Sequence, residues 1–99
     1  MMFTVKRTPQ FDAWFDGLRD GTTRRRLALR LRKAQLGNLG DTKPVGAGVI
    51  EMREHFGPGW RMYCMQRGAV LVVMLGGGSK STQQADITAA LALASTLED

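Results

Sequence analysis

Four side chains flank one turn signal in this chain. Arg53 and His55 precede Gly57-Pro58-Gly59, and Arg61 and Tyr63 follow it. Arginine presents a planar fork of donors that matches phosphate oxygens. Tyrosine can stack on a base or donate a hydrogen bond, and histidine moves protons near neutral pH. Together these residue types suit the recognition and cleavage of a phosphodiester. The plain alternative is a solvated sheet face on which Glu51 pairs with Arg53 or Arg61. Lys80 is a fifth candidate, in the run Gly76-Gly77-Gly78-Ser79-Lys80-Ser81-Thr82. That run is not a P-loop, because Lys80 follows Ser79 rather than glycine and no crossover to a further parallel strand comes after it. As a strand-to-helix junction it can hold one phosphate at a helix N-terminus, or serve only as a turn and cap.

A second concentration of charge is Arg24, Arg25, Arg26, Arg30, Arg32 and Lys33. Six cations within ten residues, with no acidic residue among them, repel one another unless something anionic balances them. RNA phosphates or the acidic side chains of a partner protein would do so; a merely solvated helix face is the other reading. Residues 1–50 carry ten basic and four acidic side chains, net +6, whereas residues 51–99 carry net −1. A net charge of +5 and a pI near 10.2 point to a polyanionic partner.

The elements that position these groups can be read from periodicity. Residues 2–7 read as a strand. Thr8-Pro9 is a helix start, and Phe11, Trp14, Phe15 and Leu18 form one helical apolar face. Asp20-Gly21 ends that helix, Thr22 or Thr23 caps a second, and Gly37-Asn38 stops it near Leu36. The two helices form a hairpin, and residues 38–48 read as a loop. Strands follow at 49–56, 60–67 and 69–75, the last continuously apolar and therefore covered on both faces. Gly76-Gly77-Gly78 breaks it. Ser81 or Thr82 caps a final helix with Ile87, Ala90, Leu91 and Ala94 on one face.

Parity then sorts the hairpin. If Phe56 pairs with Trp60, one face holds Ile50, Met52, Glu54, Phe56, Trp60, Met62, Cys64 and Gln66, which is mainly apolar and core-facing. The other holds Glu51, Arg53, His55, Arg61, Tyr63 and Met65. Directly paired Cβ atoms lie about 5 Å apart, so the four chemical candidates are expected to gather. A slip of one residue would mix the apolar face, so the pattern selects the parity. Met52, Met62, Met65 and Met74 read as core filling, and Cys64 as an inert buried thiol.

Composition narrows the class. A chain of 99 residues with 43% hydrophobic and 23% charged residues is expected to fold as one domain, 1–99, rather than stay disordered. No apolar run approaches the roughly 18 residues of a membrane helix. The N-terminus lacks a secretory pattern, and a lone Cys64 allows no internal disulfide. One His and one Cys make no standard zinc site. A cytoplasmic protein without metal or cofactor is expected.

The runs Leu18-Arg19-Asp20, Gly37-Asn38-Leu39-Gly40-Asp41, Gly48-Val49-Ile50-Glu51-Met52-Arg53, Phe56-Gly57-Pro58-Gly59-Trp60-Arg61-Met62-Tyr63 and Gly76-Gly77-Gly78-Ser79-Lys80-Ser81-Thr82-Gln83-Gln84-Ala85-Asp86-Ile87 occur in one order along nearly the whole chain. Together they resemble the RelE/HigB-type toxins of bacterial type II toxin–antitoxin modules, in the branch of phage-derived addiction-module killer proteins. The resemblance implies a small α+β fold, β-α-α-β-β-β-α, with a mainly antiparallel four-stranded sheet and an N-terminal helical hairpin. It implies a metal-independent endoribonuclease, an mRNA interferase that cleaves translated mRNA through attack of the ribose 2′-hydroxyl. Mapped onto this chain, the family's basic and aromatic residues are Arg53, Arg61, Tyr63 and Lys80, and parity adds His55. Arg61 is the expected phosphate stabiliser. His55 or Lys80 is the expected proton carrier, because arginine holds its proton too tightly. The implied partners are mRNA, the ribosome, against which the basic helix would lie, and a cognate helix-turn-helix antitoxin with which the chain forms an oligomer. ParE-type relatives share the fold and poison DNA gyrase by binding; such a protein has no need to gather phosphate chemistry. Two positions depart from the family pattern: Glu54, where an apolar residue is expected, and Trp60, where tyrosine is common.

Overall fold

A computed structural model of the protein describes residues 2–69 and 71–97, so Val70 of the expected strand 69–75 lies outside the described residues. In chain order the described elements are β1 (Thr4–Arg7), α1 (Pro9–Asp16), α2 (Gly21–Gln35), β2 (Thr42–Gly46), β3 (Val49–Arg53), β4 (Arg61–Arg67), β5 (Leu71–Gly78) and α3 (Gln83–Thr96), the last entered through a 3₁₀ turn at Lys80–Thr82. The strands make one sheet in the order β1-β5-β4-β3-β2. β1 runs parallel to β5, and the other pairs are antiparallel. The expected α+β class and order hold, with one strand more than the four expected. That strand, β2, comes from residues read as loop. Lys43, Pro44 and Gly46 are poor strand formers, and Pro44 is tolerated because β2 is an edge with an irregular register after it. β3 would otherwise present a bare edge.

Local signals start and stop the helices. Thr8 caps α1, its hydroxyl accepting from Phe11 N at 3.1 Å, with Pro9 in the first turn. The same hydroxyl donates to Met74 O at 2.8 Å, tying the helix start to β5. α1 ends at Asp16, earlier than expected, and α2 is capped by Asp20 rather than by Thr22 or Thr23. Asp20 accepts from Thr23 Oγ1 at 2.8 Å and Thr22 N at 3.2 Å. These bonds, the Thr23 hydroxyl first, hold its carboxyl below the usual carboxylate range. At the far end Gly37 takes φ +93°, and Gly37 N and Asn38 N donate to Ala34 O and Lys33 O, the left-handed stop that glycine permits.

The sheet is buried on both faces. On one, Phe11, Phe15, Leu27, Leu31 and Ala34 of the first two helices pack on Met52, Met62, Cys64, Val72 and Met74. On the other, Ala90 of α3, with Ile87, Leu91 and Ala94 beside it, packs on Val49, Tyr63, Val73 and Leu75. β5 therefore alternates between two cores, which explains its unbroken apolar run. The glycines expected to break it lie within it. A Cβ on Gly77 would collide with the Trp14 ring, and one on Gly78 with Asp86 Oδ2. The strand end is glycine because an indole and a carboxylate lie directly against its backbone. Among the described residues no helix is long and apolar enough to cross a membrane.

Candidate active site

The β3–β4 hairpin keeps the expected parity but not the expected pairing. Arg53 lies opposite Arg61, Met52 opposite Met62 and Glu51 opposite Tyr63, so every partner has moved by two residues. Glu54 N donates to Trp60 O at 2.9 Å and Gly59 N to Phe56 O at 3.1 Å. The loop is thus wider than Gly57-Pro58-Gly59 alone, with Gly57 and Gly59 at φ +57° and +77°. A shift of two leaves each side chain on its original face, so Met52, Met62 and Cys64 reach the core as expected. Burial pushes the Cys64 thiol up to about 12.

The opposite face is not open. α3 covers it. Of the expected gathering, Arg53, Arg61 and Tyr63 remain neighbours on this face, with Arg53 directly opposite Arg61, whereas His55 lies beyond the end of β3; their polar contacts divide between two clusters. Tyr63 is enclosed because the apolar stripe Ile87, Ala90, Leu91 and Ala94 needs a surface, and this is the sheet face left to it.

The first cluster is buried. Tyr63 and Glu51 are fully enclosed. Tyr63 Oη donates to Glu51 Oε2 at 3.1 Å, and Gln83 Nε2, from the first turn of α3, donates to the same oxygen at 2.7 Å. Burial, then the neighbouring Glu51 charge, raises the Tyr63 phenol well above its ordinary value. Arg61 is 8% exposed. One of its terminal nitrogens donates to Glu54 O at 3.0 Å and Trp60 O at 3.1 Å, closing the hairpin loop. Its Nε lies 3.8 Å from Glu51 Oε1, and among the described residues neither atom makes a hydrogen bond. Glu51 therefore supplies negative potential beside a guanidinium whose donors are only partly used.

Lys80, exposed, sits beside this cluster. Its backbone N–H donates to Pro58 O at 3.3 Å, which fastens the 3₁₀ turn to the hairpin loop. A Cβ on Gly59 would lie 3.2 Å from Lys80 Cβ and 3.6 Å from a terminal nitrogen of Arg61. Gly59 thus lies against both side chains, with the stem of Lys80 passing closest to it. Trp60, half-buried, packs on the opposite face against the first core and stands 6.3 Å from the Trp14 ring. Trp60 was legible as an aromatic on the core-facing side of the hairpin, and it lies there.

The second cluster is more open, with Asp41 and His55 exposed and Arg53 half-buried, its Nε enclosed without a hydrogen bond among the described residues. His55 lies beyond the end of β3, its Nε2 2.7 Å from Asp41 Oδ2. Arg53 donates to Asp41 Oδ1 at 3.0 Å. These two partners, His55 first, hold the Asp41 carboxyl below its usual range. Asp41 was missed by parity reasoning because it sits just ahead of β2, the unforeseen strand. Among the described residues no three His, Cys, Asp or Glu side chains are grouped to hold a metal ion.

The basic helix is also divided. Arg30, expected at the surface, is 9% exposed. It donates to Leu39 O, Asp41 O and Arg53 O at 2.8–3.1 Å and pairs with Glu54. This gives Glu54 its role: the carboxylate that neutralises a buried guanidinium. Arg24 donates to Leu18 O, and the Arg26 guanidinium lies 3.7 Å from the Phe56 ring centroid, a cation–π contact. Arg25, Arg32 and Lys33 face outward.

No protein-family model matches the chain. An uncharacterized protein of Haemophilus influenzae is 39% identical over 97 residues, 98% of each chain. Among solved structures, a mutant of the E. coli toxin RelE in the free state superimposes with a TM-score of 0.74, covering 98% of this chain and 100% of that one at 15% identity. The chain belongs to the family of that Haemophilus influenzae protein, and its architecture is the RelE fold.

Proposed function

We propose that this protein is the toxin of a type II toxin–antitoxin module and cleaves mRNA on the ribosome without a metal ion. The observation that carries this reading is the convergence of Arg61 and Lys80 on Gly59, on a fold shared with RelE. In the reaction the ribose 2′-oxygen attacks the adjacent phosphorus and gives up its proton to a base. The 5′-oxygen leaves and takes a proton, and the products are a 2′,3′-cyclic phosphate and a free 5′-hydroxyl. Arg61 and Lys80 stabilise the charge that builds on the phosphorane oxygens. Lys80, on the exposed rim, is also placed to carry a proton. His55 belongs to the neighbouring Asp41 cluster and serves, on this reading, as a second candidate proton carrier. Tyr63 and Glu51 orient Arg61 from beneath and do not reach the substrate.

A gyrase-binding role, as in ParE-type toxins, has no use for Arg61 and Lys80 meeting at one glycine. Lys80→Ala distinguishes the two readings without disturbing the core, because Lys80 is exposed. Cleavage of a translated message is expected to fall by about 10²–10³ with an unchanged circular dichroism spectrum. Cleavage at the unmodified rate would remove the nuclease reading and favour the gyrase one.

A further inference from the structure

The segment that carries Lys80 is fastened to the β3–β4 hairpin at two points. Lys80 N donates to Pro58 O at 3.3 Å, and three residues later Gln83 Nε2 donates to Glu51 Oε2 at 2.7 Å. The first bond reaches the hairpin loop. The second enters the buried cluster beside Arg61, although Gln83, the first residue of α3, is itself only half-buried. A glutamine side chain is usually left to water. This one turns inward, to a carboxylate that is fully enclosed.

Glu51 uses its two oxygens unequally. Oε2 accepts from Gln83 and from Tyr63 Oη, the latter at 3.1 Å. Oε1 has no hydrogen-bond partner among the described residues and lies 3.8 Å from Arg61 Nε. Two donors on one oxygen, one from β4 and one from α3, fix the rotation of the carboxyl group, whereas a single donor would leave it free to swing. That rotation aims the other oxygen at Arg61. Both donors are neutral, so they steer the carboxylate without competing for its charge. We infer that Gln83 is a positioning residue: through Glu51 it holds the Arg61 guanidinium in the orientation that brings it to Gly59 beside Lys80. The kinetic consequence rests on the ribonuclease reading; the structural consequence does not.

The test compares the full-length protein with Gln83→Met, which keeps the length and helix propensity of the side chain but has no donor. In proton–nitrogen NMR correlation spectra the Arg61 Nε–H signal is identified by its loss in Arg61→Lys. It is expected to move or broaden in Gln83→Met, while the signal of Arg30, whose Nε is bonded to Leu39 O, stays in place. In cleavage of a translated message the maximal rate is expected to fall about tenfold or more, with the half-saturating ribosome concentration unchanged, because a displaced stabilising group is felt in the chemical step rather than in binding. In an Arg61→Lys background the same change is expected to cost no further rate, since its effect runs through Arg61. A side chain that only docks α3 gives another pattern: a lower melting temperature, an unmoved Arg61 signal, and an unmodified rate at temperatures where the protein stays folded. That pattern would overturn the inference. So would a rate loss of equal size with and without Arg61. If the unmodified protein cleaves no message, the ribonuclease reading falls, and the Arg61 signal alone decides the role of Gln83: movement upholds it and an unmoved signal overturns it.

Discussion

Arg30 and Arg61 are both buried guanidiniums at the same hairpin, and they are used differently. Arg30 commits each of its nitrogens: to Leu39 O, Asp41 O and Arg53 O, and to Glu54. Gly40 is glycine partly for this reason, since a Cβ there would lie 2.8 Å from Arg30 Nε. Arg61 spends one terminal nitrogen on two carbonyls and leaves Nε unbonded beside Glu51. A guanidinium has five donors, and burying one with donors unmet costs free energy. Arg30 has the profile of an internal staple. Arg61 has that of a group left partly unsatisfied, close to the exposed Lys80 turn.

The largest expected effect tests the staple. Arg30→Ala leaves Glu54 and three carbonyls without their donor and is expected to cost about 3–5 kcal/mol. Arg61→Ala is expected to cost about 1–3 kcal/mol, because its bonds close only the hairpin loop. In thermal melts, about 4–8 °C per kcal/mol for a domain this size, the Arg30 variant is expected to fall clearly further. Equal losses, or a larger one at Arg61, would break the contrast.

A smaller effect sharpens the picture around Arg61. Tyr63 is the sole tyrosine, so phenolate absorbance reports on it alone. Its folded value is raised by burial and by Glu51. The stability this reflects is fully present below about pH 10, the ordinary tyrosine value, and is lost as pH rises, because the unfolded chain releases the proton first. Phenolate absorbance is expected to appear together with loss of far-ultraviolet ellipticity. Reversible titration near pH 10 in a folded protein would show that the Glu51 cluster is open to water.

The smallest effect belongs to the exposed Asp41 cluster. Its lowered carboxyl contributes at neutral pH, and that contribution fades as pH falls through the lowered value. Asp41→Asn is expected to move the His55 ring resonances in NMR spectra and to shift the melting temperature less than either arginine change. A drop matching that of Arg30→Ala would mean that the side chain of Asp41, not its carbonyl, holds the β2 end.

The sequence disclosed what local chemistry decides. Thr8-Pro9, Gly37 and the alternation through Met52, Met62 and Cys64 led directly to a cap, a stop and a core face. It concealed what distant residues decide. β2 exists because β3 has an edge to cover, and no propensity in Lys43-Pro44 announces that. The closure of α3 over Tyr63 was implicit in the stripe Ile87, Ala90, Leu91 and Ala94, but parity treated the hairpin alone and left that stripe without a partner. Arg30 was hidden for a related reason. A run of arginines reads as one surface, and only the fold shows which of them has four acceptors waiting beneath it.

The parallel pairing of β1 with β5, Thr4 opposite Leu71 through Arg7 opposite Met74, sets a schedule for the molecule's birth. β1 leaves the ribosome before β5 is made and waits for it. Pairing across so long a stretch of chain has a high contact order, and folding of such topologies is slow, on the order of milliseconds to seconds. A nascent chain exposes its ten N-terminal cations well before the turn bearing Lys80 is synthesised. The juxtaposition of Arg61 and Lys80 is therefore a property of the finished polypeptide. Truncated products, or chains stalled before β5, hold the basic helix without the assembled site.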